Sequence, residues 1–280
     1  MHNAKRLAVF GLFFFSGSCA LVYQITWMRL FRLVMGNTVF TSATVLTAFM
    51  AGLAIGSFIA GRLTDRSAHP LRSYAWLEVL IGLCGFAMIP AFNALAPVYG
   101  GLYTWLGDSP LLLSMGRFLV SAALLALPAT LMGATLPLLS RFMTQRLERM
   151  GRDLGRLYAL NTLGAALGAA LTGFLLVPSL GVQTTLWTAA LANLSIGATA
   201  FALARTSVAS PVAAPQTSDR GDVAALWALG LTGFASMVYE VSWTRTLSML
   251  LGSSVYAFSL MLVAFICGLG LGSMILAGWI

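Results

Sequence analysis

Runs of about 20 apolar residues, separated by short polar gaps, fill almost the whole chain. A bilayer with a hydrocarbon core of about 30 Å needs roughly 20 apolar residues for each helix that crosses it. Eight runs reach or approach that length: 7–28, 39–61, 74–96, 111–139, 157–177, 185–204, 223–241 and 256–280. The sequence therefore predicts an all-α integral membrane protein, built as a polytopic helical bundle.

Charged residues are too rare for a soluble protein. They make up 9% of the 280 residues, against 59% apolar residues and a mean hydropathy of +0.89, whereas a soluble surface needs roughly 25–35% charged residues. The three cysteines lie far apart, and His2 and His69 lack ligand-like neighbours, so we expect neither a disulfide scaffold nor a metal site. The net charge of +8 forms no continuous stripe, so no nucleic acid partner is expected.

The basic residues favour one orientation in the membrane. Cytoplasmic loops carry an excess of Lys and Arg, and a cytoplasmic N-terminus places 12 of the 16 basic residues on the cytoplasmic side. These twelve are Lys5, Arg6, Arg62, Arg66, Arg72, Arg141, Arg146, Arg149, Arg152, Arg156, Arg205 and Arg220. The other four fall near the outer ends of predicted crossings. We therefore expect a multi-pass protein with its N-terminus in the cytoplasm.

A segment near the N-terminus recurs 216 residues later. Residues 17–29 match 233–245 at Gly, Val, Tyr, Trp and Arg, and Gly36 and Gly56 match Gly252 and Gly272. A segment that recurs within the chain belongs to the fold, which disfavours a cleaved signal peptide. The predicted organisation is a six-helix membrane repeat at 1–204, a cytoplasmic linker at 205–222, and the first two helices of a second repeat at 223–280. We expect the remaining helices of that second repeat to be missing from this chain.

The repeated segments contain the most informative polar residues. Glu240 is a carboxylate inside a predicted crossing, which is costly unless it faces a cavity or a partner. Arg245 lies five positions further on, a poor spacing for pairing within one helix, so a partner on another helix is expected. Both a structural contact between helices and the binding of a substrate or proton stay open for this group: Tyr239, Glu240, Trp243 and Arg245, with Tyr23, Gln24, Trp27 and Arg29 in the first copy.

An aromatic belt is the alternative for the tyrosines and tryptophans. Tyr and Trp four residues apart share one helix face, and such residues are enriched where the bilayer meets water. A nearby arginine would then extend toward the lipid headgroups. Another acid, Glu78, lies early in the third run and is expected at the cytoplasmic edge.

Small residues and prolines predict how the helices pack. Pairs of glycines four residues apart occur at positions 52/56, 164/168 and 268/272, a spacing that lets helix backbones approach closely in lipid. Pro128 and Pro137 predict a kink in the fourth crossing.

The loop after the second run contains Gly61, Asp65, Arg66 and Arg72. These residues resemble the signature loop of the major facilitator superfamily. The resemblance implies a major-facilitator-like fold in which the acid and the arginine latch neighbouring helix ends and gate access; a solvated basic loop is the alternative. Arg117 is loosely similar to the arginine of that superfamily's fourth-helix motif, and a helix-end arginine reaching for headgroups is the alternative there.

Five segments carry a closer resemblance. They are Tyr-x-x-x-Trp-x-Arg at 23–29, FMAGLAIG at 49–56, PLRSYAWLE at 70–78, PATLMGATLP at 128–137 and GRLYALNTLG at 155–164. Together they resemble the membrane portion of bacterial fused major-facilitator/spermidine-synthase proteins, which implies the bacterial cytoplasmic (inner) membrane. In that family a cytoplasmic aminopropyltransferase-like domain follows the membrane helices and binds decarboxylated S-adenosylmethionine.

No catalytic residues or cofactor are expected in this chain itself, because it has no soluble segment that could hold such a domain. The resemblance implies a membrane module that anchors or supplies an aminopropyltransferase domain, with the bilayer, missing C-terminal helices, the soluble domain and a small cation such as a polyamine as partners. Two alternatives stay open. One is an independent major-facilitator carrier for a small solute, and the other is a structural assembly subunit held together by its glycine faces.

Overall fold

The computed structural model describes residues 3–36, 39–64, 67–107, 109–143, 150–205, 223–252 and 255–279. Helices account for nearly all of these residues. In chain order they are α1 (Asn3–Met35), α2 (Val39–Thr64), α3 (Pro70–Asn93), α4 (Leu95–Leu106), α5 (Pro110–Gly133), α6 (Thr135–Met143), α7 (Met150–Leu171), the π-helical turn Thr172–Leu176, α8 (Val177–Arg205), α9 (Val223–Leu251) and α10 (Val255–Trp279).

Seven helical stretches of the described chain are long and apolar enough to cross a membrane. They are Ala4–Met35, Phe40–Thr64, Pro70–Asn93, Pro110–Met143, Asp153–Arg205, Val223–Leu251 and Tyr256–Ile275. Length and composition thus confirm that the protein is compatible with a helical, multi-pass membrane bundle. The orientation in the membrane stays a prediction.

The longest stretch, Asp153–Arg205, contains two of the predicted crossings. Its 53 residues would extend about 80 Å as one straight helix, far more than a hydrocarbon core of about 30 Å. The helical path breaks at Gly181, where φ is 77° and ψ is 171°. Glycine adopts such a positive φ without steric cost. The break falls between the runs at 157–177 and 185–204, which the sequence predicts as two separate crossings.

The fourth predicted crossing consists of two helices. α5 begins after Ser109, whose hydroxyl accepts a 3.5 Å hydrogen bond from the amide of Leu112. It contains Pro128 and ends at Gly133, and α6 starts at Thr135. Because a proline lacks an amide donor and crowds the preceding turn, an interruption between two prolines is expected. The short helix α4, just before this crossing, was not anticipated from the apolar pattern.

The helices α1–α8, which precede the predicted linker, form a first group, and α1 lies inside it. It packs mainly against α7 and α8, while α3 packs mainly against α8 and α2 against α5. α10 packs against α7, so the segment after the linker contacts the first group. α9 is the exception, since only 6% of its most apolar stretch is buried.

Glycines permit the closest of these contacts. Gly164 and Gly168 of α7 lie directly against the backbone of α1, and a methyl group on either would collide with the carbonyl oxygen of Phe14 or Ser18. Gly52 and Gly56 of α2 lie against Ala129 and Thr130 of α5 in the same way. The predicted packing role holds for these two pairs. A Cβ at Gly268 or Gly272 meets no atom within 4 Å, so the third pair makes no such contact with the described residues.

The first helix of each sequence repeat ends in the same way. Gly36 closes α1 with a φ of 84°, and Gly252 closes α9 with a φ of 80°. Side-chain-bearing residues rarely adopt this left-handed conformation, so glycine suits both positions. Residues 206–222 of the predicted linker lie outside the described ranges. The division into two repeats and the major-facilitator arrangement stay predictions.

Candidate functional site

Glu240 is buried in α9, as its cost in a membrane leads one to expect. It is 2% exposed, and its Oε1 has no hydrogen-bond partner among the described residues. Arg245 on the same helix is exposed and forms no ion pair with it in the described part of the chain. The expected partner on another helix is likewise not found within those ranges. A buried carboxylate oxygen without a donor is suited to bind a proton or a cation.

Gln24 occupies the matching position of the first repeat and is also buried. It is 1% exposed, and its Nε2 finds no acceptor among the described residues. The polar side chains of both copies therefore point into protein, although only the second copy carries an acid. Any site built on both would be chemically asymmetric.

Tyr23 and Trp27 belong to the protein core and not to an aromatic belt. Both are fully buried, and their rings stack with centroids 5.4 Å apart. Trp27 also meets Phe49 of α2 edge-on, with the centroids 6.2 Å apart. The belt interpretation is thus wrong for the first copy, because α2 and the neighbouring helices cover the face that the sequence alone could assign to lipid.

The matching aromatic side chains of the second copy are exposed. Tyr239 is 61% exposed and Trp243 is 56% exposed, whereas their first-copy counterparts are fully buried. α9 carries the same residue pattern as α1 but has no helices around it equivalent to α3, α7 and α8 within the described chain. Its aromatic face is left open.

The remaining predicted arginines do not join this group. Arg29 is exposed at the far end of α1, and Arg117 of α5 is partly buried. The backbone carbonyl of Arg117 accepts a 2.6 Å hydrogen bond from Ser121, whose hydroxyl lies 2.7 Å from that of Tyr99 on α4. No hydrogen bond or ion pair of the described residues links Arg117 to Glu240.

The predicted gating loop is only partly described. Asp65 and Arg66 lie outside the described residues, and Gly61 and Arg72 on either side of them are exposed. The ion pair that the structure does show joins Arg6, near the start of α1, to Asp153 in the first turn of α7. Sequence patterns gave no indication of this pair, since its members are 147 positions apart.

Glu78 is a functional candidate whose surroundings the sequence did not indicate. It is fully buried at the meeting point of α1, α3 and α8, and its expected place at the cytoplasmic edge stays a prediction. Ser16 of α1 donates a 2.6 Å hydrogen bond to its Oε1, and Asn193 of α8 donates to its Oε2. The polar residues Ser16 and Asn193 in the middle of apolar runs were the available signal. Their proximity depends on a packing arrangement that periodicity does not give.

Metal binding has no support from the described residues, where no group of three or more His, Cys, Asp and Glu side chains could hold an ion. The described residues include three buried carboxyls: Asp153, which pairs with Arg6, and Glu78 and Glu240, one in each sequence repeat. Buried carboxyls without a paired base, such as Glu78 and Glu240, are suited to bind protons or cations.

Curated proteins of similar sequence are aminopropyltransferases. The chain is 29% identical to polyamine aminopropyltransferase 2 of Streptomyces coelicolor over 195 residues, which is 69% of this chain and 33% of that protein. It is 24% identical to polyamine aminopropyltransferase 2 of Ralstonia nicotianae over 196 residues, 70% of this chain and 35% of the relative. It is 27% identical to polyamine aminopropyltransferase of Mycobacterium tuberculosis over 173 residues, 59% of this chain and 29% of the relative.

These matches make the chain a distant homologue of proteins named polyamine aminopropyltransferase, which confirms the spermidine-synthase-like relationship. The matched part amounts to about a third of the length of those relatives. No family model and no solved structure matches the chain.

Proposed function

We propose that this chain is the membrane-embedded part of a polyamine aminopropyltransferase-like protein, where it anchors the enzyme or supplies its amine substrate. The similarity to named aminopropyltransferases carries the proposal. About 70% of the chain takes part in these matches, and most of the chain consists of apolar helices. Both facts support a match that lies mainly in the apolar helices.

In this proposal the transfer reaction takes place outside residues 1–280. A synthase domain would bind decarboxylated S-adenosylmethionine and the acceptor amine. The membrane bundle would hold that domain at the cytoplasmic surface, with its partners being the bilayer, further membrane helices and a polyamine. The exposed aromatic face of α9 supports the proposal that further helices pack against it, because the matching face of α1 is covered by protein.

The test uses the complete product of the native gene in a bacterial host that lacks spermidine synthase. We expect washed membranes to transfer the aminopropyl group from decarboxylated S-adenosylmethionine to radiolabelled putrescine. Membranes of the host with empty vector serve as the control. Folded, membrane-inserted protein without any transfer activity overturns the proposal.

Vesicle orientation separates anchoring from supply. Right-side-out vesicles, loaded with decarboxylated S-adenosylmethionine, receive putrescine on their outer side only. If the bundle supplies substrate, labelled spermidine forms inside them. If it is an anchor alone, only putrescine enclosed with the cofactor is converted.

Transport of a small cation is the second candidate function, and Glu240 favours it. A carboxylate that is 2% exposed and lacks a partner for Oε1 suits the binding of an ammonium group within the bundle. Proteoliposomes containing the protein are expected to take up radiolabelled putrescine. Glu240→Gln is a mild change, since glutamine stands at the matching position 24, and it should abolish uptake. Uptake that survives this substitution removes Glu240 from the mechanism.

A further inference from the structure

Among the described residues, no charged side chain pairs with the carboxylate of Glu78. The titratable side chains facing it are Cys19 and Tyr23 of α1 and Tyr74 of its own helix, and these groups are uncharged near neutral pH. α8 contributes Asn193, which does not titrate. No ion pair among the described residues involves Glu78. An ionised carboxylate in such a place is strongly disfavoured.

The carboxyl group of Glu78 is held by hydrogen bonds from two neighbouring helices. Ser16 of α1 donates to one oxygen and Asn193 of α8 donates to the other. A proton can bind to either carboxyl oxygen without moving a helix.

Asn193 fits both forms of the carboxyl. Its Nδ2 donates to Glu78 while its Oδ1, buried with the rest of a side chain that is 1% exposed, has no partner among the described residues. A half-turn of the amide exchanges the two atoms and presents an acceptor in place of a donor. The ionised carboxyl needs the donor, and the protonated carboxyl can donate its O–H to the acceptor.

We infer that Glu78 is an exchangeable proton-binding site within the helical bundle, with Asn193 as the positioning residue that turns its amide as the proton comes and goes. On release, the O–H bond of the carboxylic acid breaks, the electron pair stays on the carboxylate, and the proton passes to water. The negative charge left between α1, α3 and α8 then favours entry of water along these helices. The inference concerns the first repeat alone and holds whether or not the protein carries a polyamine.

Infrared difference spectroscopy on the whole protein in liposomes tests this inference. Between acidic and alkaline buffer we expect a carbonyl band of a protonated carboxyl that disappears at high pH and shifts in D₂O. Glu78→Gln should remove this band, whereas the control Glu240→Gln can remove only a carboxyl band of its own and should leave the Glu78 band in place. A full-intensity band in Glu78→Gln, or a Glu78 band that does not respond to pH while the protein remains folded, overturns the inference.

A second variant addresses the case in which Glu78→Gln fails to fold. Asn193→Leu removes the amide and should shift the frequency of the Glu78 band, because the hydrogen bond to the carboxyl is lost. Ser195→Ala lies on an exposed position of the same helix and should leave the frequency unchanged. A loss of stability without any change in the band would show that Asn193 has a structural role only, and would contradict the exchange between donor and acceptor.

Discussion

At the scale of single residues, Tyr23 offers a direct test of how polar groups are tolerated in this bundle. Its ring is fully buried, and its hydroxyl has no hydrogen-bond partner among the described residues. Tyr23→Phe removes a buried polar group without leaving another one unpaired, so the free energy of unfolding should stay the same or rise by up to about 1 kcal/mol. Tyr23→Ala also removes the ring stacked on Trp27 and should cost about 3–5 kcal/mol.

The measurement is an SDS titration of each variant in mild detergent, followed by tryptophan fluorescence. Wild-type protein and Tyr23→Ala set the two ends of the scale. A loss of more than about 1 kcal/mol in Tyr23→Phe would contradict the expectation, since it would mean that the hydroxyl has a partner in the folded protein.

The sequence predicted which types of residue are buried better than it predicted which residues surround them. Glu240 is buried, as its cost in a membrane implies. The burial of Glu78 was not predicted, because nearness to a chain gap does not show which helices surround a residue. Tyr23 and Trp27 fit an aromatic belt and a protein core equally well by their spacing, and only the packing of α1 decides between them. Residue type thus constrains burial, while tertiary contacts determine the surroundings.

At the scale of helices, the contact between α1 and α7 depends on a small residue at position 164. Gly164→Val places side-chain atoms on the carbonyl oxygen of Phe14 and forces the two helices apart. We expect a loss of about 1–3 kcal/mol in the free energy of unfolding, measured by the same SDS titration.

Gly11→Val is the matched control, because a Cβ at position 11 of α1 meets no atom within 4 Å. Valine has a higher helix propensity than glycine, so this control should be neutral or slightly stabilising. Equal losses in both variants would show that glycine at position 164 serves the conformation of its own helix and not the close approach of α1.

The ion pair between Arg6 and Asp153 is the second contact between these helices. Asp153 is nearly buried, with 6% of its side chain exposed, and Arg6 is 29% exposed. A double-mutant cycle with Arg6→Ala and Asp153→Ala should give a coupling energy of about 1–2 kcal/mol, within the range for residues in contact. Arg72→Ala, at an exposed position of α3, should be additive with Asp153→Ala. A coupling near zero for the Arg6 pair would show that the contact adds nothing to stability.

At the scale of the whole molecule, apolar run length predicted the long apolar helices well, and chain breaks followed glycine and proline. The runs are suited to cross a membrane because bilayer thickness sets a minimum length. Gly181 and the prolines of the fourth crossing mark interruptions because they change the backbone itself. The pairing of α3 with α8 and of α2 with α5 could not be read in this way, since each helix is apolar on several faces and offers no single stripe that identifies its partner.

Orientation is the whole-molecule property that charge alone predicts. Arg72 lies at the start of α3, in a gap rich in basic residues, and Thr104 lies near the end of α4, on the other side of one crossing. Both positions are exposed. The excess of Lys and Arg in cytoplasmic loops places Arg72 inside the cell and Thr104 outside.

Single cysteines at these two positions test the orientation in a background where the three native cysteines are alanine. A membrane-impermeant maleimide added to intact spheroplasts should label Thr104→Cys and leave Arg72→Cys unlabelled until the membrane is opened. The charge difference across the first three crossings is the physical reason, because translocating the basic loop would move its arginines through the bilayer. Labelling of Arg72→Cys alone in intact spheroplasts would reverse the orientation and place the N-terminus outside the cell.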